Sequence, residues 1–312
     1  MCQKKKTVNI LLATYNGEKY IKEQIESLLN QTYPYIKIYI NDDCSNDRTI
    51  DIIKDIHSKK IVHISSIKCG SARKNFQLLI NIAYKKDIND YYMFCDQDDI
   101  WLPEKVKTEV EMMELLEKEY GRNSLLEIYS NYYIFNNNVT EKNIAYKTKP
   151  ISNFEHLVIQ SWVMGCTMLV NSQLIKYGKK IPEEAENHDK WLSIIASLYG
   201  NICYISEPLM LHRIHTGNVT TQENTTSFKN RLNRILTRFK RDELKKFRNK
   251  HIHLFEDLSS FNDLEPNNRK LEQYKNVALN HGIRSLMFYK KYCYHGVDNL
   301  QTFMFGLQFL LS

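Results

Sequence analysis

The chain has 312 residues, of which 43% are hydrophobic, 12% aromatic and 25% charged, with a formal net charge of +7. This composition can build a full core in one large soluble domain, or in one domain plus an extension, and the modest charge does not by itself imply nucleic acid. No run reaches the ~18 apolar residues of a membrane span, and the first apolar run is too short for a signal sequence. The seven cysteines are scattered without a C-x-x-C pair, which fits reduced thiols in a cytosol better than a disulfide framework or a zinc site. The expectation is a cytoplasmic protein that does not cross the membrane.

In chain order, residues 8–13 form a nearly continuous apolar run, the pattern of a parallel strand buried on both faces. The polar loop Thr14-Tyr15-Asn16-Gly17-Glu18 follows, and Ile21, Ile25, Leu28 and Leu29 then fall at helical spacing. Residues 36–40 predict a second strand, ending in Asn41-Asp42-Asp43-Cys44-Ser45-Asn46-Asp47. A helix over residues 49–56 and a third strand over 61–64 come next. Residues 70–75 open a helix that carries Phe76, Leu79, Ile80 and Ala83, and residues 91–95 predict a fourth strand. Strands alternating with helices imply a mostly parallel sheet with helices on both faces. Ligands of such sheets bind beyond the carboxyl ends of the strands.

The fourth strand delivers Asp96, Asp98 and Asp99 at its carboxyl end, followed by Pro103 and a helical pattern over residues 103–119. Carboxylates this close repel one another and need a counter-charge when buried. A divalent cation, Mg²⁺ or Mn²⁺, with substrate phosphate completing its shell, supplies one. The plainer alternative is a solvated acidic turn that caps the next helix. The first, second and fourth strands all end in polar residues at one sheet edge, which favours a ligand site. A dinucleotide site is disfavoured, since no G-x-G-x-x-G follows the first strand and no Walker motif occurs.

Residues 126–135 and 161–170 read as further strands, residues 136–149 as a loop and residues 182–187 as an acidic loop. His188-Asp189 starts a helix with Trp191, Leu192, Ile195, Ala196 and Leu198 on its inner side. Residues 201–205 suggest a short strand, and residues 208–218 close the region. Beyond about residue 222 the composition changes. Lys and Arg crowd residues 228–250, while Phe228, Leu232, Ile235, Leu236 and Phe239 fall on one helical face. Leu300, Phe303, Met304, Leu307, Leu310 and Leu311 make a second stripe. The expected division is an α/β catalytic domain over residues 1–222 and a basic amphipathic helical extension over residues 223–312.

Six stretches, in this order, resemble the inverting glycosyltransferases of family 2, which have the GT-A fold. They are Ala13-Thr14-Tyr15-Asn16, Asn41 through Asp47, Asp96-Gln97-Asp98-Asp99-Ile100-Trp101, Gly165-Cys166-Thr167, His188-Asp189-Lys190-Trp191 and Arg213-Ile214-His215. The finer likeness is to bacterial rhamnosyltransferases of surface-polysaccharide synthesis. The resemblance implies that Thr14, Tyr15, Asn16 and Glu18 hold the base and ribose of a sugar nucleotide and that Asp43 accepts from the pyrimidine. It places Arg73 and Asn75 along the nucleotide, and Asp96 and Gln97 at the ribose or metal shell. Asp98 and His215 become the metal ligands for Mn²⁺ or Mg²⁺, Asp189 the general base, and His188 and Trp191 the acceptor contacts. The implied donor is a dTDP- or UDP-linked sugar. The implied acceptor is a saccharide on undecaprenyl diphosphate, reached at the cytoplasmic membrane surface with no role for nucleic acid.

Each assignment has a plainer counterpart. Asp189 also reads as a helix N-cap, His215 as a packed or surface histidine, Trp191 as core, and Trp101 as a structural anchor. Two other classes compete: nucleotidyl transfer, which lacks its Gly-rich phosphate loop here, and a non-catalytic sugar-nucleotide-binding or membrane scaffold. The basic and apolar stripes suggest docking on anionic lipid, or else packing on the catalytic domain.

Overall fold

The computed structural model describes residues 5–86, 90–136, 139–215, 239–261, 263–264, 268–296 and 298–312. The apolar runs become strands because both faces of the sheet are covered. β1 (Val8–Thr14), β2 (Ile36–Asp42), β3 (Ile61–Ser66) and β4 (Tyr91–Cys95) lie in the order β3-β2-β1-β4, all parallel. The connecting helices are α1 (Ile21–Leu29), α2 (Thr49–Asp55) and α3 (Ala72–Lys86). β2 and β4 flank β1 on opposite sides, so the chain reverses its direction of travel across the sheet there. The crevice beyond these carboxyl ends is where an α/β sheet binds ligand.

Past β4 the sheet becomes mixed. β5 (Ile100–Trp101) leads into α4 (Lys105–Tyr120), β6 (Leu126–Phe135) and β7 (Lys142–Ile144). Then come α5 (Phe154–Leu157), β8 (Met168–Val170), α6 (Ser172–Ile175), α7 (His188–Tyr199) and β9 (Asn201–Arg213). β8 pairs antiparallel with both β4 and β6, β9 runs parallel to β6, and β5 pairs antiparallel with β9. The expected strand over residues 161–170 is therefore short, with a 3-10 turn at Gly165–Thr167 before it. The expected short strand at 201–205 instead continues to Arg213 and absorbs Pro208 at a register shift opposite Asn131.

Alternation along β1 sorts its side chains into two layers. Ile10 and Leu12 join the layer under α1 and α4 with Ile25, Ile38, Met93 and Val106, while Leu11 joins Phe76, Phe94, Trp191 and Ile195 under α3 and α7. In the first layer Lys105 and Glu109 form a fully buried ion pair at 2.5 Å, with Ser130 Oγ donating to the same carboxylate at 2.9 Å. Lys105 Nζ also lies 4.9 Å from the ring centroid of buried Trp101, so Trp101 anchors β5 to α4.

The carboxyl-terminal helices are α8 (Arg241–Ser259), α9 (Arg269–Leu279), α10 (Gly282–Lys291) and α11 (Asn299–Leu311). Leu254, Leu258, Leu271, Tyr274 and Phe309 belong to the same apolar layer as Phe154 and Trp191, so these helices share a core with the α/β unit. The expected boundary near residue 222 and the basic residues Lys229, Arg231, Arg234 and Arg238 lie outside the described residues. In the described part of the basic run Lys240, Arg241, Lys245 and Lys246 are exposed, while the opposite face of the helix packs on the protein. α8 buries Leu244, Arg248, His251, Leu254 and Leu258, and Lys250 pairs with Glu186. Among the described residues no helix is long and apolar enough to cross a membrane.

Between β6 and α7 sits a buried carboxyl. Glu127 Oε1 accepts from Ser193 Oγ at 2.8 Å, and no described group reaches Oε2. Burial, countered by the Ser193 bond and reinforced by Asp189, pushes the Glu127 pKa to about 8. The folded chain thus keeps a proton that the unfolded chain releases above its ordinary pKa, so stability falls as pH rises from about 4.5 to about 8. The slope reaches up to about 1.4 kcal/mol per pH unit within that window. Thermal melts across pH 5–9 test this: Glu127→Gln should be more stable than the parent at the alkaline end and should flatten this part of the profile.

Candidate active site

The β4–β5 loop holds three carboxylates against the end of β9. Pairing of Ile100 with Leu211 and of Trp101 with Met210 brings His212, Arg213 and His215 beside it. Asp99 is buried, and its Oδ1 meets His212 Nδ1 at 2.8 Å and accepts from Arg213 N at 3.2 Å. Burial opposes a charged His212, but Asp99, its hydrogen bond, and then Asp96 and Asp98 lift the imidazole pKa to about 9. His212 is therefore an imidazolium at neutral pH and neutralises Asp99. Arg213 Nε donates to the Asp98 carbonyl at 2.9 Å and Nη2 to Glu23 at 2.5 Å. Its guanidinium is sandwiched between Tyr20 and Phe135, at 4.6 and 4.5 Å from the ring centroids.

Asp98 Oδ2 lies 2.8 Å from His215 Nε2, so the two expected metal ligands meet. Burial, then Asp99, raise the Asp98 pKa, with the His215 bond working the other way. Burial, then Asp99 and Asp98, push Asp96 to about 8. One imidazolium thus faces three crowded carboxyls, two of which carry raised pKa values. That excess suits a hard cation: carboxylate oxygens with one imidazole match Mn²⁺ or Mg²⁺. A buried trio of Asp99, Cys166 and His212 also lies within ligand distance of one another. Its aspartate and histidine are already an ion pair, and burial followed by Asp99 and Asp96 raises the Cys166 thiol pKa well above its usual value.

The loop after β1 is pinned to the loops after β4 and β2. Gln97 Oε1 accepts from Thr14 Oγ1 at 2.6 Å and from Tyr15 N at 2.8 Å, while its Nε2 donates to Tyr15 O at 3.0 Å. Gly17 leaves room for this arrangement, since a Cβ there would run into the Gln97 amide and displace it. Asn16 holds φ at 48°, receives Asn46 N–H at 2.9 Å and donates its own N–H to Ser45 Oγ at 2.7 Å. Glu18 Oε2 receives Arg48 N–H at 3.0 Å. Thr14, Asn16, Glu18 and Gln97, expected on a nucleotide, thus make bonds between the loops. Tyr15 is 52% exposed and presents its ring at the crevice edge. Asp43 is half-buried and receives the N–H groups of Cys69 and Gly70.

Three expected contacts, those of Asn75, Trp191 and His188, need correction. Asn75 is buried and exchanges hydrogen bonds with Asn41 at 2.9 and 3.2 Å, so it ties α3 to β2. Arg73 donates to Ile181 O at 2.7 Å and to Glu183 at 3.2 Å, which joins the start of α3 to the loop before α7. Trp191 is 1% exposed and donates Nε1–H to Tyr177 O at 2.9 Å, leaving no face for a sugar. His188 is wedged between Phe76 and Phe94, at ring distances of 4.0 and 4.4 Å, and burial pulls its pKa down to about 4. It is a neutral core residue.

Asp189 is the second residue of α7, and Asn187 is the N-cap. Its Oδ2 accepts from Gly165 N at 3.1 Å and its Oδ1 from Lys190 N at 2.7 Å, so two backbone donors fix the carboxylate. It stands close enough to Asp96 to raise that residue's pKa. The residues that sequence reasoning left without roles are Asp99, His212, Arg213 and Gly165. Their signal was the abrupt change at the end of β9, from Leu209-Met210-Leu211 to His212-Arg213, in register with the Asp loop.

A family model described as glycosyl transferase family 2 matches residues 9–158. The chain is 30% identical over 229 residues to the dTDP-rhamnosyl transferase RfbG of Shigella flexneri, spanning 66% of this chain and 72% of that protein. It is 28% identical over 218 residues to the UDP-Glc:alpha-D-GlcNAc-diphosphoundecaprenol beta-1,3-glucosyltransferase WfaP of Escherichia coli, spanning 69% of this chain and 80% of the relative. A crystal structure of S. aureus TarS in complex with UDP-GlcNAc superposes with a TM-score of 0.58 at 19% identity, covering 91% of this chain and 74% of that one. This last likeness is one of fold.

Gly165 must lack a side chain, because a Cβ would strike the His188 imidazole while its N–H holds Asp189. Gly165→Ala should cost about 1–3 kcal/mol, the usual penalty of overpacking, and lower Tm by a few degrees. Pairing it with His188→Ala removes the struck ring, so the double variant should lose less than the sum of the singles. Additive losses in thermal melts would contradict this contact.

Proposed function

The chain belongs to glycosyl transferase family 2 and is a glycosyltransferase of the GT-A fold, and from that premise we propose that it transfers L-rhamnose from dTDP-rhamnose to a hydroxyl of a lipid-linked oligosaccharide, inverting the anomeric carbon. The observation that carries this reading is the pairing of a cation-suited cluster, Asp96, Asp98 and His215, with a separately fixed carboxylate, Asp189. Asp98, with His215 and Asp96 beside it, would hold Mn²⁺ or Mg²⁺. Such an ion, when bound, neutralises charge developing on the departing diphosphate.

The remaining steps belong to the chain's own groups. Tyr15 offers a ring to the base, and Asp43 accepts from the pyrimidine at the crevice edge. Asp189 takes the proton of the acceptor hydroxyl as its oxygen bonds to the anomeric carbon. The bond from that carbon to the diphosphate breaks, and the nucleoside diphosphate leaves with the electron pair. Attack from the far face inverts the centre without a covalent intermediate. Holding Asp189 by two backbone N–H groups keeps it aimed and lets α7 carry it rigidly.

The donor assignment rests on the relative from Shigella flexneri, which is named a dTDP-rhamnosyl transferase. The relative from Escherichia coli, named for UDP-Glc and a diphosphoundecaprenol acceptor, supports a lipid-linked acceptor in bacterial surface-polysaccharide synthesis. It also supports a second reading in which UDP-glucose is the donor. Such an acceptor would place the enzyme at the inner face of the cell membrane.

Donor hydrolysis with dTDP-rhamnose, UDP-glucose, UDP-galactose and UDP-GlcNAc in the presence of Mn²⁺ tests the assignment. The rhamnosyl donor should turn over at least about tenfold faster, a discrimination that a few pocket contacts can supply. A UDP-sugar in the lead would replace the donor, and no turnover of any donor would favour a binding protein. Asp189→Asn should reduce kcat for transfer by about 10²-fold or more with donor KM nearly unchanged, as loss of a general base does. A near-normal kcat would leave Asp189 a helix-terminus residue only.

A further inference from the structure

The α10–α11 hairpin leaves an apolar face uncovered. Each helix uses one flank against the other: Leu286 and Tyr289 close on Gly306, and Tyr289 Oη donates to Thr302 O at 3.1 Å. A second face of each turns to the body of the protein. Ser285 Oγ donates to Val277 O at 2.7 Å, and Phe309 packs 4.8 Å from both Phe247 and His251. The side that remains points outward on both helices. It carries Ile283 and Met287, 61% and 63% exposed, and Leu300, Phe303 and Leu311, 59%, 65% and 52% exposed. Ile283 and Met287 are one turn apart, as are Leu300 and Phe303, so each helix contributes a continuous stripe. Solitary exposed apolar residues are ordinary, but a rimmed contiguous set marks a contact surface.

The charges along the two helices themselves have one sign. α10 carries Arg284, Lys290 and Lys291, all exposed and without an acidic residue, and α11 has no charged residue along its length. From residue 276 to the last residue the one acidic side chain is Asp298, which is spent capping α11 through Gln301 N at 2.7 Å. α11 is 13 residues long, about 20 Å at 1.5 Å per residue, against a hydrocarbon thickness near 30 Å. Over that length it can lie in an interface. Apolar residues flanked by cations, with no anions to repel, are the chemistry of an anionic lipid surface. A second copy of the chain would bring the same cations against each other.

We propose that the outward face of α10–α11 is the surface by which this protein lies on an anionic membrane, with Phe303, Met287, Ile283 and Leu300 entering the headgroup boundary and Arg284, Lys290 and Lys291 on the phosphates. The proposal deepens the reading that the acceptor is lipid-linked, and it moves the contact from the basic run of residues 228–250 to the far helices. It makes the face a docking surface that carries no part of the transfer chemistry.

Co-sedimentation of the full chain with vesicles of phosphatidylglycerol, and separately of phosphatidylcholine, tests it without any acceptor. The parent should partition onto the anionic vesicles at least tenfold better than onto the neutral ones, and less so at high salt. Met287→Glu with Phe303→Glu changes only exposed positions, so the variant should keep its thermal melt and its donor hydrolysis while losing at least tenfold in vesicle binding. Vesicle binding and donor hydrolysis are read separately, so failure of this face is distinguishable from failure of the transferase reading. Equal binding by parent and variant, or no binding by the parent, would overturn the proposal. So would a dimer in sedimentation velocity that the variant dissociates, since that would make the face a contact between copies.

Discussion

Three carboxylates forced into one short loop are the constraint on which this structure turns. Asp96, Asp98 and Asp99 cannot all be ionised and dry without compensation. The chain supplies part of it from the end of β9 and the residues just past it: His212 on Asp99, the Arg213 guanidinium on the Asp98 carbonyl, and His215 on the Asp98 carboxylate. That supply requires β9 to run back beside β5, in antiparallel register. The mixed half of the sheet is the scaffold that returns β9 to that place. The compensation is incomplete, since Asp96 and Asp98 keep raised pKa values. A fully neutralised loop would have little affinity for a cation, whereas an uncompensated one would not hold its shape.

The same loop also organises the loop after β1. Gln97 grips the backbone of Tyr15 in both directions, as a strand neighbour would, and takes the hydroxyl of Thr14. The loop after β2 holds Asn16 and Glu18 through Asn46 and Arg48. Displacing any one of these loops would therefore move the others. Side chains expected to touch ligand are in large part the means by which the crevice wall is built. Among these residues Tyr15 stays exposed and Asp43 half-buried.

The parallel half of the fold was legible because its signals are local. Continuous apolar runs of strand length alternate with helical spacing, and β4 falls where its residues predict. The Asp loop, Asp189 and His215 were legible as residue types at strand and helix ends. Less legible were contacts set by distant pairings. The apolar stretch before Val170 reads as strand, but Gly165 must fold close to His188 and donate to Asp189, which curls it into a turn. Pro208 hides the continuity of β9, because only the register shift opposite Asn131 lets a proline sit there. His188 and Trp191 belong to the stretch that carries the resemblance, which implied acceptor contacts for them. Helical spacing carried the better signal. Residues 188, 191, 192 and 195 share the inner face of α7, whereas Asp189 is turned toward Gly165.

The account rests on the Asp loop being a cation-dependent site for a nucleoside diphosphate. Isothermal titration of dTDP and UDP into the protein, with Mn²⁺ and then with EDTA, tests that claim most directly, with Asp98→Ala as the companion variant. The account predicts binding that tightens at least about tenfold with Mn²⁺, a difference of roughly 1.4 kcal/mol, and no such gain in Asp98→Ala. Nucleotide binding of equal strength with and without the cation, or a Mn²⁺ gain that survives loss of Asp98, would contradict it.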